Sequence, residues 1–285
     1  MTEPRFPFVA VDVTAEDADV MSATLFELGA EGVEERDATT LVKGAPGLVT
    51  LVASFASHEE AREAVAAIDE SCKPRLEEIV GDAWRDAWKE HFRPFAITAS
   101  IVIRPPWEAY AEKPGEEVLV LEPGRAFGTG LHETTSLVAG ALEARKGEVV
   151  GKPVLDVGCG SGILALVALT LGASRARAID VDEDAALVTQ ENATRNGLDD
   201  RVEADSAPIE SIDGTYPVVV ANIEARVLIP MMSELTKRVA PGGLLVLSGI
   251  LAPQKDDVRA AYGSFALLDA PAKGEWVALA LRAPG

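Results

Sequence analysis

The sequence predicts an α/β fold: a doubly wound, mostly parallel sheet with a terminal antiparallel hairpin, preceded by a small ferredoxin-like α+β domain. Three observations predict it. From residue 153 short apolar runs alternate with helical patterns, the signature of a sheet wound on both faces. The first of those runs passes into its helix through a glycine-rich turn, Asp156-Val157-Gly158-Cys159-Gly160-Ser161-Gly162. The chain ends on two strand-like stretches, 264–269 and 275–282, with only the turn-prone Pro271-Ala272-Lys273-Gly274 between them. No helix fits there, so the two stretches should form a hairpin.

The elements follow in order. Residues 5–13 alternate as a strand does, with Phe6, Phe8 and Ala10 against Val9, Val11 and Val13. Thr14 reads as an N-cap, with Glu16, Asp17 and Asp19 in the first turn. Ala18, Met21, Leu25 and Leu28 then recur at helical spacing, and Gly29 is a stop signal. Strand-like runs occupy 31–35, 39–43 and 48–55. Ser57 and Glu60 form a capping box for a second helix through about Cys72, and 74–80 reads as one more strand. This order predicts a small domain over residues 1–83. The stretch from Asp82 to Pro94 reads as a short helix stopped by proline, with Trp84 and Trp88 one turn apart on one face. It marks a linker over 84–99, and 100–285 forms the second domain.

Composition bounds the partners. The 285 residues suffice for one large and one small domain, and 48% hydrophobic content supports a packed core. No apolar run reaches the roughly 18 to 20 residues of a membrane helix. Met1-Thr2-Glu3-Pro4-Arg5 lacks the profile of a signal peptide, so a cytoplasmic protein with no membrane partner is expected, acting as a monomer. Cys72 and Cys159 stand far apart, which fits a reducing compartment and excludes a cysteine-based zinc site; no metal is expected. The net charge is −20, which disfavours direct nucleic-acid binding. Residues 1–83 hold 18 acidic against 6 basic side chains, a net of −12. That excess either keeps the chain soluble or forms a docking face for a basic protein.

In the second domain, strands 101–103 and 117–121 lead into the loop Glu122-Pro123-Gly124-Arg125-Ala126-Phe127-Gly128-Thr129-Gly130-Leu131-His132-Glu133-Thr134-Thr135, and a helix runs on to about Ala144. Further strands fall near 153–157, 175–180, 200–204, 217–221 and 244–248. Helices fall near 162–171, 183–195, 224–239 and 253–262. Pro241-Gly242-Gly243 reads as a turn. Gly158 and Gly160 let the backbone turn tightly and touch a ligand with no Cβ in the way. Asp180 ends the second strand, where a carboxylate can accept hydrogen bonds from both ribose hydroxyls of an adenosine. Two cofactors compete for such a loop. A dinucleotide fold wants glycine or alanine where Ile163 stands, and Asp156 beside the loop would repel a pyrophosphate while suiting a sulfonium and an ammonium. Charge therefore favours S-adenosylmethionine over NAD. Asp205, after the third strand, is placed near an adenine edge. Asn222, ending the fourth strand, can both donate and accept hydrogen bonds at the carboxyl edge of the sheet.

These segments together resemble one family, the methyltransferase of ribosomal protein L-eleven (PrmA type). The resemblance is carried by Trp84-Arg85-Asp86-Ala87-Trp88-Lys89-Glu90-His91-Phe92, Ala126-Phe127-Gly128-Thr129-Gly130, His132-Glu133-Thr134-Thr135, the glycine loop through Ala165, Ala178-Ile179-Asp180-Val181-Asp182, Val220-Ala221-Asn222-Ile223, Ser248-Gly249-Ile250-Leu251 and Gly274-Glu275-Trp276. It spans residue 84 to the end. The resemblance implies a class I S-adenosylmethionine-dependent methyltransferase fold. It also implies cofactor binding by Thr135, Gly158, Asp180 and Asn222, to which Asp156 and Gly160 are added from the loop itself. It implies methyl transfer to lysine ε-amines, and to an N-terminal amine, of a ribosomal protein recognised by the small domain. Residues 1–83 carry no motif of comparable strength, so a methyltransferase for another protein lysine or for a small molecule is the alternative. A binding module with a vestigial cofactor fold is a third.

No dedicated base stands out. His132 is one candidate and a loop-holding histidine is the competing reading. Glu133 and Glu224 more readily attract a cation than abstract its proton. Asn222-Ile223-Glu224-Ala225 lacks the Asn-Pro-Pro-Tyr type of motif used on amide and adenine nitrogens. Cys159 reads as a small filler.

Overall fold

The computed structural model describes residues 5–14, 17–30, 32–36, 48–80, 92–122 and 131–285. The chain divides into two units, Met1–His91 and Phe92–Gly285. The Trp84–Trp88 segment, the strand expected at 39–43 and all of the Ala126–Leu131 loop except Leu131 lie outside the described residues.

In the first unit, strands β1 (Arg5–Val13), β2 (Gly32–Arg36), β3 (Val49–Ser54) and β4 (Arg75–Val80) form one sheet in the order β2-β3-β1-β4, every pair antiparallel. With helices Ala18–Glu27 and His58–Ala67 between them, the described elements run strand, helix, two strands, helix, strand. The alternation of β1 has its expected use. Val9, Val11 and Val13 pack with Leu25, Leu51, Ala61 and Ala64 in a common core. Ser57 caps the second helix, its side chain accepting the Glu60 N–H at 3.2 Å. The first helix begins later than expected. Thr14 does not cap it; its hydroxyl donates to Asp17 Oδ2 at 2.7 Å, and Asp17 occupies the cap position.

The second unit opens with a three-stranded sheet of β5 (Phe95–Ala96), β6 (Ile101–Arg104) and β7 (Glu117–Val120), the last two parallel. Residues 92–99, expected in a linker helix, thus include a short strand. Glu143, on helix Glu133–Ala144, ties the sheet down: its carboxylate accepts from Thr98 Oγ1 and from the Ala99 and Ser100 N–H groups.

The main sheet contains β8 (Pro153–Val157), β9 (Arg175–Ile179), β10 (Val202–Asp205), β11 (Tyr216–Asn222), β12 (Val239–Leu251), β13 (Ala266–Asp269), β14 (Ala272–Lys273) and β15 (Trp276–Arg282). The order is β10-β9-β8-β11-β12-β15-β13, with β14 on β15. Pairs from β10 to β12 are parallel and those with β15 antiparallel, so the terminal hairpin stands as predicted. A sheet covered on both faces needs apolar residues at every strand position. Along β11, Val218 and Val220 enter one core with Leu142, Leu166 and Val154, while Val219 and Ala221 enter the other with Leu228, Leu235 and Tyr262.

Three expectations are corrected. The helix expected over 224–239 is two, Ala225–Leu228 and Met232–Arg238, because Pro230 between them has no N–H to continue the ladder. The helix expected over 253–262 begins as a 3₁₀ turn, Ala252–Gln254, and becomes α-helical at Lys255. Pro241-Gly242-Gly243 lies inside β12 as an irregularity: the register jumps from Tyr216–Val239 to Val218–Leu244.

Candidate functional site

The strand order reverses between β8 and β11, and ligands of doubly wound sheets bind outside the carboxyl ends of the strands at such a point. A cavity of about 730 Å³ lies there, within the range of ordinary ligand sites. Its wall includes Val157, Gly158 and Gly160 at the end of β8, Ile179 and Asp180 at the end of β9, Asn222 and Ile223 at the end of β11, and Gly249 in β12.

The glycine loop is tied to its neighbours. Gly158 and Cys159 donate their N–H groups to Ile179 O at 2.8 and 3.1 Å. Gly160 donates to Asp180 Oδ2 at 2.9 Å. From helix Glu183–Arg195, Thr189 Oγ1 donates to Gly160 O at 3.1 Å and Asn192 Nδ2 to Ser161 O at 3.0 Å. Gly158 has φ +72°, and a Cβ there would stand 2.4 Å from Ile223 Cγ2. Glycine is thus required twice over, by conformation and by space.

Asp180 faces the cavity. Its Oδ1 also accepts the Asp182 N–H at 3.1 Å, so each oxygen holds one backbone donor and keeps lone-pair capacity for another. Asn222 lines the cavity as well. Its Nδ2 donates to Thr135 Oγ1 at 3.4 Å, and its Oδ1 is buried with no partner among the described residues. Thr135 itself is buried and does not line the cavity; it stands behind Asn222.

Asp156 requires a correction. It was expected beside the cofactor, yet its carboxyl is fully buried and outside the cavity wall. Strand alternation explains this: Asp156 points to the same face of β8 as Val154, toward helix Ile163–Thr170. There Oδ2 accepts the Ala165 N–H at 3.0 Å, while Oδ1 has no partner among the described residues. Burial pushes its pKa up to about 7; the Ala165 bond opposes the shift and the nearby Asp180 charge adds to it. The charge argument against a pyrophosphate survives on other residues. Among the described residues of the wall are three carboxylates, Asp180, Glu210 and Glu224, and one guanidinium, Arg226.

Asp205 is also displaced from its expected place. It pairs with Arg177 and accepts the Ala207 N–H at 3.0 Å. The segment after it, Ala207 to Glu210, reaches the wall instead. Glu133 is not part of the wall, whereas His132, Glu224 and Trp276 are. The His132 ring caps helix Glu133–Ala144: Nδ1 accepts from the Thr134 N–H at 3.4 Å and lies 2.8 Å from Thr134 Oγ1. The ring also meets Trp276 edge to face, with centroids 4.9 Å apart. Cys159 is buried, and burial pushes its thiol pKa up, as suits a filler.

Sequence reasoning missed Thr189, Asn192, Trp276 as a wall residue, and the Ala207–Glu210 segment. A polar residue on an inward helix face signals the first two. Nothing local signals the last.

Comparison with known proteins bears on the same residues. The family model described as ribosomal protein L11 methyltransferase (PrmA) matches residues 6–284. A ribosomal protein L11 methyltransferase of Sorangium cellulosum is 56% identical over 99% of this chain and 98% of its own length. One from a Geobacter species is 44% identical over 74% of this chain and 70% of its own. The crystal structure of a ribosomal protein L11 methylase from Lactobacillus delbrueckii subsp. bulgaricus superposes with a TM-score of 0.63 at 31% identity. It covers 68% of this chain and all of the other. A model match over nearly the whole chain, a cofactor-sized cavity at the strand reversal and a relative matched end to end lead to one conclusion: the chain belongs to the ribosomal protein L11 methyltransferase (PrmA) family.

Proposed function

We propose that this chain transfers methyl groups from S-adenosylmethionine to lysine ε-amines of ribosomal protein L11, with the reaction centred on the cavity above β8, β9 and β11. The observation that carries the reading is the facing pair at that cavity, the Asp180 carboxylate and the Asn222 carboxamide, on either side of the glycine loop. The donor set fits the cofactor. Asp180 has acceptor capacity for two ribose hydroxyls, Gly158 and Gly160 give backbone approach, and an acid-rich wall suits a molecule bearing sulfonium and ammonium. Thr135 and Asp156 act from behind: Thr135 holds the Asn222 amide, and Asp156 anchors the helix that follows the loop.

Bound cofactor supplies an electrophilic methyl on an already activated leaving group, so positioning and exclusion of water dominate the work left to the protein. Asn222 Oδ1, buried with no donor among the described residues, accepts an N–H from the incoming amine, because a buried carbonyl left unpaired costs about 1–3 kcal/mol. His132 and Trp276 wall the same space, and His132 also caps helix Glu133–Ala144. The lysine loses its proton to solvent before attack. The acidic first unit, net −12 over residues 1–83, recognises the basic substrate protein, and the segment around 84–99 links the two units. Incubation with methyl-labelled cofactor and a cell extract, followed by mass spectrometry of labelled bands, tests this reading. Label on lysines of ribosomal protein L11 is expected; label confined to other proteins or to small molecules refutes the substrate assignment.

A further inference from the structure

Family membership says nothing about the two charged residues that follow Asn222. Glu224 and Arg226 both belong to the cavity wall and form an ion pair with each other. Their side chains are 63% and 81% exposed, so they sit at the mouth and not in the depth of the cavity. The backbone beneath them is fixed. Ile223 donates its N–H to Ser248 O at 3.1 Å. Its side chain fills the space over Gly158, and its carbonyl lies against Gly249, where a Cβ would come within 2.4 Å of Ile223 O. Glu224 then caps the short helix Ala225–Leu228, its carbonyl accepting from Val227 and Leu228 at 2.9 and 3.0 Å. The carboxylate therefore springs from a rigid point two residues from the Asn222 carboxamide.

The other two acids of the wall are less suited to meet an incoming cation. Asp180 holds two backbone N–H groups and follows the far strand, β9. Glu210 stands on the separate 3₁₀ turn Ile209–Ser211. Glu224 alone shares a connection with Asn222, and its present partner is a mobile type of side chain at high exposure. An exposed pair of this kind is worth about 0.2–1 kcal/mol, so one cation can replace another there at little cost.

The geometry points to Glu224 as a specificity residue for the acceptor: its carboxylate receives the ammonium end of a lysine side chain, which displaces the Arg226 guanidinium at the cavity mouth. This rests on the amine-methylating reading above. Glu224 acts on charge and position only, and no proton is assigned to it. Arg226 then works as a built-in competitor that an uncharged side chain cannot displace, so the pair screens acceptors by charge before they reach Asn222.

The test is a binding measurement on the full chain, with and without S-adenosylhomocysteine. Acetyl-glycyl-lysyl-glycinamide and its norleucine analogue, equal in length and lacking only the charge, are titrated and followed by NMR. On the wild type the lysine peptide is expected to bind about threefold to fivefold more tightly, the scale of an exposed charge pair. Glu224→Gln should bring the ratio to about one, and Arg226→Gln should raise it. Salt at about 0.5 M should erase it, since exposed charges are screened. A wild-type ratio of one overturns the inference, as does an unchanged ratio in Glu224→Gln. A loss of peptide binding that ignores charge points to a merely structural role and overturns it as well. No methyl is transferred in this assay, so its outcome is separate from that of the labelling experiment on the function itself.

Discussion

Replacing Gly158 by alanine tests the link between loop, cavity and the residues after β11. Two costs add. At φ +72° a Cβ brings left-handed strain of about 1–2 kcal/mol. The same Cβ would stand 2.4 Å from Ile223 Cγ2, and forcing a methyl into a filled space costs about 1–3 kcal/mol more. Ile223 cannot yield freely, because its N–H is held by Ser248 O and its carbonyl lies against Gly249. The total is about 2–5 kcal/mol. Gly197→Ala is the matched control: φ is +64°, but nothing lies within 4 Å of its Cβ position, so only the strain is incurred. Urea unfolding of both variants separates the contributions. Gly158→Ala should lose clearly more stability than Gly197→Ala. It should also bind S-adenosylmethionine more weakly, because Ile223 is forced to shift beside Asn222. Equal losses in the two variants would refute the packing argument, and wild-type cofactor affinity would refute the coupling to the cavity.

Two further outcomes follow from buried polar groups. Asp156 has its pKa raised by burial to about 7, so the folded chain binds this proton more tightly than the unfolded chain does. The stability from that preference is complete below about pH 4 and is lost as pH rises to about 7, a change on the order of 4 kcal/mol. Asp156→Asn, whose amide oxygen can still accept from Ala165, should flatten that pH dependence in denaturant unfolding at pH 5 and pH 8; an unaltered slope would assign it to other groups. Tyr262 is fully buried and donates to Leu228 O at 2.8 Å, so Tyr262→Phe should cost about 1–2 kcal/mol in thermal unfolding. A neutral result would mean that the Leu228 carbonyl finds another donor.

The parts of the fold that were legible in the sequence are those set by local periodicity. Continuous apolar runs such as Val218-Val219-Val220-Ala221 have one natural home, a strand covered on both faces. The short gap between 269 and 275 forced a hairpin, and β13, β14 and β15 form one. Gly158, Gly160, Asp180 and Asn222 sit at strand ends, and in a doubly wound sheet strand ends converge, so their meeting at one cavity was foreseeable. What failed depended on facing direction or distant partners. Asp156 lies in the right segment, but the pleat turns it toward Ala165 and away from the cavity. Asp205 is drawn off by Arg177, a partner 28 residues away. Trp276 meets His132 only because the terminal hairpin returns the chain past the cap of helix Glu133–Ala144. Glu143 under the β5–β7 sheet has no local signature either: its carboxylate is recruited by Thr98, Ala99 and Ser100 from more than 40 residues away.

The cavity beside Asp180 is where S-adenosylmethionine should bind. Calorimetric titration of the purified chain with the cofactor, for the wild type and for Asp180→Ala, tests it most directly. One-to-one binding to the wild type and a loss of about 1–3 kcal/mol in the variant are expected, the scale of a missing hydrogen bond to a charged group. Equal affinity in both would remove Asp180 from the site, and no binding to the wild type would remove S-adenosylmethionine from the cavity altogether.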